Sequence, residues 1–355
     1  MIGESRDSAL IRLMQKPLVV ISRCINLDAV RFDGGIVDDR FAELLGRYVR
    51  YLPVCPEMEM GLGVPRDPIK LVRVDGDRRG HFAPKGSGKR AGEDSSRDVQ
   101  GYTLVQPGTG RDLTSAAHEF IERFFASLGK VDGFLLKARS PSCGYSGTKI
   151  YSHPDGTGFI ARRRGIFALA VVRRFPLLPV EDEERLRNGD IRHHFLVRLF
   201  SLHELRVLER SASAKGVLRK LSDFHAGHRS LVMAYSRRKL KELDMLVEGA
   251  EARKPRDVIS RYAELFRRAF RRRAPRSSHA AVMTEIFEWI ERAGMGFGRN
   301  ERRRFENVLN DYTNEKVNID APLKLLRSYS DVIKSNDMVS NRYINPYPDR
   351  LLRFE

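Results

Sequence analysis

Residues 17–24 read PLVVISRC, and residues 131–144 read VDGFLLKARSPSCG. Each is a short apolar run that ends in polar turn residues and then a cysteine, the pattern of a buried strand feeding a loop. YLPVC (51–55) repeats the pattern and delivers a third cysteine. Between these runs lie helical segments. DDRFAELLGRYVRYL (38–52) puts Phe41, Leu44, Leu45 and Val49 at helical spacing behind Asp38 and Asp39, and a second helix is expected over 113–128. Strand and helix in alternation predict an α/β fold with a Rossmann-like parallel sheet, where ligands gather outside the carboxyl ends of the strands. Cys24, Cys55 and Cys143 all occupy such positions.

Working outward, a third helix is expected around 165–174, and PLLPVEDEERLRN (176–188) closes the first domain. VDGDRRGHFAPKGSGKRAGEDSSRD (74–98) has no apolar period and reads as a loop or insertion beside the site. The second half reads as an all-α helical bundle. In RDVISRYAELFRRAFRRR (256–273), Val258, Tyr262, Leu265, Phe266 and Ala269 mark a core face. Further helices are expected near 192–212, 215–250, 279–293, 300–314 and 322–334, with breaks at Pro255, Pro275, 294–298 and Pro322. A chain of 355 residues suits two domains, here 1–189 and 190–355.

Lysine and arginine number 64 against 46 acidic residues, a formal net charge of +18. Residues 1–150 carry 23 basic against 19 acidic side chains, while 151–355 carry 41 against 27, so the excess is concentrated in the second half. Such a surface attracts a polyanion through counterion release, and arginine suits bidentate phosphate contacts. The RNA-facing candidates are Arg162, Arg163 and Arg164 and the cluster Arg267, Arg268, Arg271, Arg272, Arg273 and Arg276. A solvated helix face is the competing reading for any one of them. FHAGH (224–228) spaces His225 and His228 three apart with no third ligand nearby, so core or RNA-facing histidines compete with a metal pair. The longest apolar run, 165–172, is far below the roughly 20 residues a bilayer span needs. The polar start lacks the order of a secretory signal, and a cytoplasmic location without membrane contact is expected.

Three cysteines cannot complete a disulfide framework, and spacings of 31 and 88 residues match no local metal motif. The segments around them are more specific. SRCINLDAVRFDGG (22–35), VCPEMEMGLGVPRDPIKLV (54–72) and LKARSPSCGYSGTKIY (136–151) resemble, in order, the signature blocks of the thiouracil desulfidase family, over about residues 15–185. DFHAGHRSLVMAYS (223–236), RRRAPRSSHAAVMTEIFEWI (271–290) and NRYINPYP (341–348) resemble the YbgA-type helical domain. Together the halves are similar to fused desulfidases that act on 4-thiouridine in transfer RNA. The chain departs from many family members after its first cysteine, where they have a leucine–glycine pair and this chain has Ile25, Asn26, Leu27 and Asp28.

The resemblance implies a 4Fe-4S cluster held by Cys24, Cys55 and Cys143, with one iron open to the substrate sulfur. It further implies Glu57 as acid–base residue and Ser140 as a holder of the attacking water, with Ser142 a lesser candidate. Arg31, Asp33 and Arg66 lie in the same blocks and either orient the base or fix the loops. Without the resemblance, Glu57 reads first as a capping or ion-pair carboxylate, and Ser140 as a turn residue before Pro141. Two further readings compete: a desulfidase of free thiouracil, and a non-catalytic RNA-binding iron–sulfur or zinc sensor.

Overall fold

The computed structural model describes residues 16–73, 101–213, 215–292, 298–333 and 340–354. The segment 74–98, expected to be a loop, lies outside the described residues. The first half is built on four parallel strands, β1 (Leu18–Ser22), β2 (Arg50–Val54), β6 (Gly133–Leu136) and β9 (Val180–Asp182), in the order β2-β1-β6-β9. Both neighbours of β1 are reached by crossovers in opposite directions, so the switch point lies where β1 meets β6. That is where an open parallel sheet leaves a crevice for ligands.

The sheet is buried on both faces, which explains its continuous apolar strands. Val19 and Ile21 of β1 and Leu135 of β6 enter one core with Phe41 and Leu45 of α1 (Arg40–Gly46) and the helices of the second half. The alternate residues Val20, Phe134 and Leu136 enter another. That second core is completed by Phe120 and Ile121 of α3 (Thr114–Ser127) and by Phe167 and Val171 of α4 (Ile166–Arg174). The pleat thus sends successive side chains to opposite layers. The helix expected over 38–52 is shorter, because residues 50–54 are taken into the sheet as β2. Strand β9 falls in a segment read only as an exit.

A second sheet was not foreseen in the pattern. It has the order β5-β4-β3-β7-β8, from β3 (Lys70–Arg73), β4 (Tyr102–Gln106), β5 (Arg111–Asp112), β7 (Thr148–Tyr151) and β8 (Phe159–Arg163). Only β3 and β7 pair in parallel. Its strands are short, and β5 and β8 are exposed along most of their length, so they carry little apolar signal.

The second half is helical: α5 (Gly189–Arg210), α6 (Val217–Tyr235), α7 (Arg237–Glu248), α8 (Pro255–Ala269), α9 (Arg276–Arg292), α10 (Arg299–Thr313), α11 (Asp320–Ile333) and α12 (Asp349–Leu352). The helix expected over 215–250 is two. Ser236 breaks it with extended backbone and caps α7, its hydroxyl accepting from Lys239 N–H at 3.2 Å. Phe195, Leu199 and Leu202 of α5 share the core of β1 and β6, so the helical half supplies the sheet's third layer. Among the described residues no helix is long and apolar enough to cross a membrane.

A buried polar cluster fastens α5 to the sheet. Asp132, 2% exposed, accepts from Leu18 N–H at 2.8 Å and Arg206 Nη2 at 2.5 Å, and lies 3.1 Å from His203 Nδ1. Asp132→Ala removes the carboxylate partner of the half-buried Arg206 guanidinium and of a strand N–H together. A loss of about 3–5 kcal/mol is expected, the usual cost of removing one partner of a buried ion pair. Urea denaturation measures it, and an unchanged midpoint would refute the role of this cluster.

Candidate active site

The three cysteines open on one cavity of about 360 Å³ at the carboxyl ends of the sheet. Cys24 follows β1 and is partly exposed, whereas Cys55 after β2 and Cys143 beyond β6 are buried. Pro56 starts the single turn α2 (Pro56–Glu59), and that turn brings Glu57 back over Cys55. Glu57 Oε2 accepts from Cys55 Sγ at 3.5 Å, and Oε1 accepts from Ser142 Oγ at 2.6 Å and Ser140 Oγ at 3.4 Å. The two hydroxyls are 3.0 Å apart. Ser140 Oγ also accepts from the backbone N–H of Cys143 at 3.1 Å and of Ser142 at 3.3 Å. Ser140 lines the cavity, while Ser142 lies fully buried behind it.

Close packing holds the 140–144 loop. Ile166 and Phe167, in the first turn of α4, donate to the carbonyls of Pro141 and Ser142 at 3.0 Å each, and Gly165 donates to Gly144 O at 2.8 Å. A Cβ on Gly165 would lie 2.4 Å from Ser142 O and 2.7 Å from both Pro141 O and Ser140 O, all backbone atoms that cannot swing aside. Gly165→Ala should therefore displace both serines. Because a shift of about 1 Å can cost ~10²-fold in rate, turnover should fall at least about tenfold. Assay of the folded variant checks this, and wild-type turnover would show the contact to be harmless.

Of the remaining anticipated residues, Arg31 and Arg66 line the cavity, and Asp33 is turned into its own loop. Arg31 pairs with Asp33 at 3.3 Å, and Asp33 Oδ1 accepts from Gly35 N–H at 3.0 Å. Arg66 donates to Gly63 O at 2.7 Å and Val30 O at 2.9 Å, tying the two loops together. Within the departure after Cys24, Asn26 has a conformation of its own. It adopts φ +59, a left-handed conformation natural to glycine and tolerated by asparagine, and its amide exchanges bonds with the backbone of Asp39 at 2.6 and 2.7 Å.

Two site residues escaped the sequence reading. Lys137 lines the cavity directly after β6, and its Nζ pairs with buried Glu183 at 2.5 Å, whose other oxygen accepts from Ala138 N–H at 2.7 Å. The signal for Lys137 was its place at a strand exit. Glu183 looked like one of several acidic residues in a connection, until β9 placed it beside β6.

Burial, followed by the Glu57 carboxylate, pushes the Cys24 thiol up to about 11 and Cys55 to about 12, and raises Cys143 in the same direction. Metal binding must displace these protons. Among the described residues no group of His, Cys, Asp and Glu converges on a single ion. Three soft sulfur donors spread around one cavity instead suit a polynuclear iron–sulfur cluster.

The anticipated RNA-facing arginines differ in their freedom. Arg267 pairs with Glu209, and Arg276 with Asp190, both half-buried. Arg164 lies over the Tyr145 ring at 5.1 Å. Arg162, Arg163, Arg268, Arg271, Arg272 and Arg273 are exposed, with Arg268 paired to Glu264. His225 bonds Tyr262 and Asp244 at 3.1 and 2.8 Å, and His228 bonds Phe224 O at 2.9 Å, so both serve the helix core.

Residues 19–183 match the family model of 2-thiouracil desulfurase, and residues 230–348 match a family described as a protein of unknown function, DUF1722. One solved structure, a [4Fe-4S]-dependent thiouracil desulfidase, TudS, is 27% identical over 48% of this chain and 94% of its own, with a TM-score of 0.33. No curated protein matches the chain.

Proposed function

We propose that the chain is an iron–sulfur-dependent desulfidase that converts 4-thiouridine in transfer RNA to uridine, with release of sulfide. The observation that carries the reading is Glu57, held between Cys55 and a serine pair in the cavity that all three cysteines share. The desulfurase family match over the same residues supports it.

When bound by Cys24, Cys55 and Cys143, a 4Fe-4S cluster supplies one iron lacking a protein ligand, a Lewis acid for the thiocarbonyl sulfur. The chain supplies the proton chemistry. As a thiolate, Cys55 no longer donates to Glu57 Oε2, and that oxygen is released to take a proton from water. Ser142, buried behind, fixes the carboxylate through Oε1. Ser140 has its lone pairs engaged by two backbone N–H groups and its hydroxyl hydrogen turned toward Glu57 Oε1 and Ser142 Oγ, so it steadies the carboxylate from the cavity side. Water oxygen bonds to C4 as Glu57 takes its first proton and passes it to the sulfur; the carbon–sulfur bond then breaks as the adduct's hydroxyl gives its second proton to solvent, leaving a carbonyl and hydrosulfide. No electrons are transferred overall.

The basic helical half favours RNA over a free base, since a pyrimidine alone needs no cationic surface. The test is anaerobic reconstitution, then sulfide release from 4-thiouridine-containing transfer RNA and from free thiouracil under equal conditions. Preference for RNA is expected. Equal or better turnover of the free base would replace the substrate assignment, and an intact cluster with no sulfide from either would overturn the enzyme reading.

A further inference from the structure

A second cavity, of about 420 Å³, opens in the helical half between α5, the end of α6, the α8–α9 connection and α10. It shares no lining residue with the cysteine cavity. Its size lies within the roughly 300–1,000 Å³ common for small-ligand pockets.

Its walls carry His193 and His194 of α5, Tyr235 at the end of α6, His279 of α9 and Tyr312 of α10. Each imidazole is anchored at Nδ1 by a tyrosine hydroxyl: His193 by Tyr347 at 2.9 Å, His194 by Tyr235 at 3.2 Å, and His279 by Tyr343 at 3.0 Å. None has a hydrogen bond at Nε2 among the described residues, and for His193 that atom is fully buried. The three do not form a metal triad. Burial lowers all three, His279 to about 4, so each is neutral at physiological pH and can donate or accept. His194 and Tyr235 also stack, with centroids 5.6 Å apart at 21°.

The charges differ in availability. Arg276 is consumed internally by Asp190, by the carbonyls of Tyr312 and Val317, and by the Tyr312 ring. Arg273 is exposed and has no hydrogen bond or ion pair among the described residues, yet its field reaches His194, Tyr235 and Tyr312. Arg271 and Arg272 stand exposed beside it, and Glu315 is a carboxylate on the rim. An inorganic anion could accept an N–H from a neutral imidazole but would leave the flat ring faces of the wall unused. A nucleobase, with donors and acceptors on one edge and flat faces, would use the free Nε2 atoms of His194 and His279 and the ring faces beside them, and its phosphate would meet the unpaired guanidinium.

We infer that this cavity binds one nucleotide, with its base against the histidine–tyrosine wall and its phosphate on Arg273. The nucleotide is either free or a unit of an RNA strand whose flanking phosphates meet Arg271 and Arg272. Only the second source rests on the RNA reading above. The test uses the full chain and sulfur-free probes, so it stands or falls independently of desulfidation. The probes are the four ribonucleoside 5′-monophosphates, their nucleosides, inorganic phosphate and an unmodified transfer RNA transcript, measured by calorimetry. At least one monophosphate should bind more tightly than its nucleoside and than phosphate, and at least tenfold more weakly to the exposed-site variant Arg273→Ala. Displacement of that nucleotide by the transcript assigns the source to RNA, and failure to displace it assigns a free nucleotide. No binding by any monophosphate, equal binding of inorganic phosphate, or unchanged affinity in Arg273→Ala overturns the proposal.

Discussion

Cys24→Ala, Cys55→Ala and Cys143→Ala are each expected to yield a folded protein that, after anaerobic reconstitution, holds iron and sulfide only at background and releases no sulfide from thiolated substrate. The three donors come from the ends of three neighbouring strands, so none has a nearby substitute. Loss of one leaves two thiolates for a cluster that already lacks a fourth protein ligand. The fold should tolerate the change, since cysteine packs as a small apolar residue and a typical substitution costs about 1 kcal/mol. Cys24→Ala is the cleanest case, because that side chain is partly exposed and its removal opens little space in the core. Elemental analysis, the visible charge-transfer spectrum and the melting temperature are measured together. A variant that retains both cluster and turnover would remove its cysteine from the ligand set. Loss of turnover with an intact cluster would make that cysteine part of the chemistry instead.

The placement of these cysteines was legible because PLVVISRC and LKARSPSC combine an apolar run with an abrupt polar exit, and a parallel sheet collects such exits at one end. The helical half was legible for a similar reason: Val258, Tyr262, Leu265 and Phe266 of α8 repeat at helical spacing and are all buried. What escaped was set by pairings that the local apolar pattern does not report. Strand β9 is three residues long, and its acidic pair Glu181 and Asp182 argues against a buried strand. Both side chains are nonetheless buried, because Arg185 satisfies Glu181 at 2.7 Å and Ser146 donates to Asp182 at 2.9 Å. Local pattern reports which residues want burial, whereas satisfaction of a buried carboxylate depends on partners that only the fold supplies. The arginine cluster shows the same limit. Arg273 and Arg276 are equivalent in sequence, yet one is free at a cavity mouth and the other is locked to Asp190.

Glu57→Gln is expected to keep the cluster spectrum and lose turnover by about 10²–10⁴-fold, the usual contribution of general acid–base catalysis. The substitution is nearly isosteric, and a glutamine carbonyl oxygen can still accept the Ser142 hydroxyl that Oε1 accepts at 2.6 Å, so the loop and the cysteine positions should survive. The amide group cannot take a proton from water. KM should change little, because the carboxylate is asked to act on water and not to hold the base, so the loss should fall on kcat. Ser142→Ala separates orientation from proton transfer. It leaves the carboxylate ionisable but removes its shortest hydrogen bond, and a smaller loss than in Glu57→Gln is expected. If Ser142→Ala were the more damaging of the two, the proton would be moving through the serine pair, with Glu57 only its brace. Full activity in Glu57→Gln would remove the carboxylate from the mechanism and leave its contact with Cys55 a matter of packing.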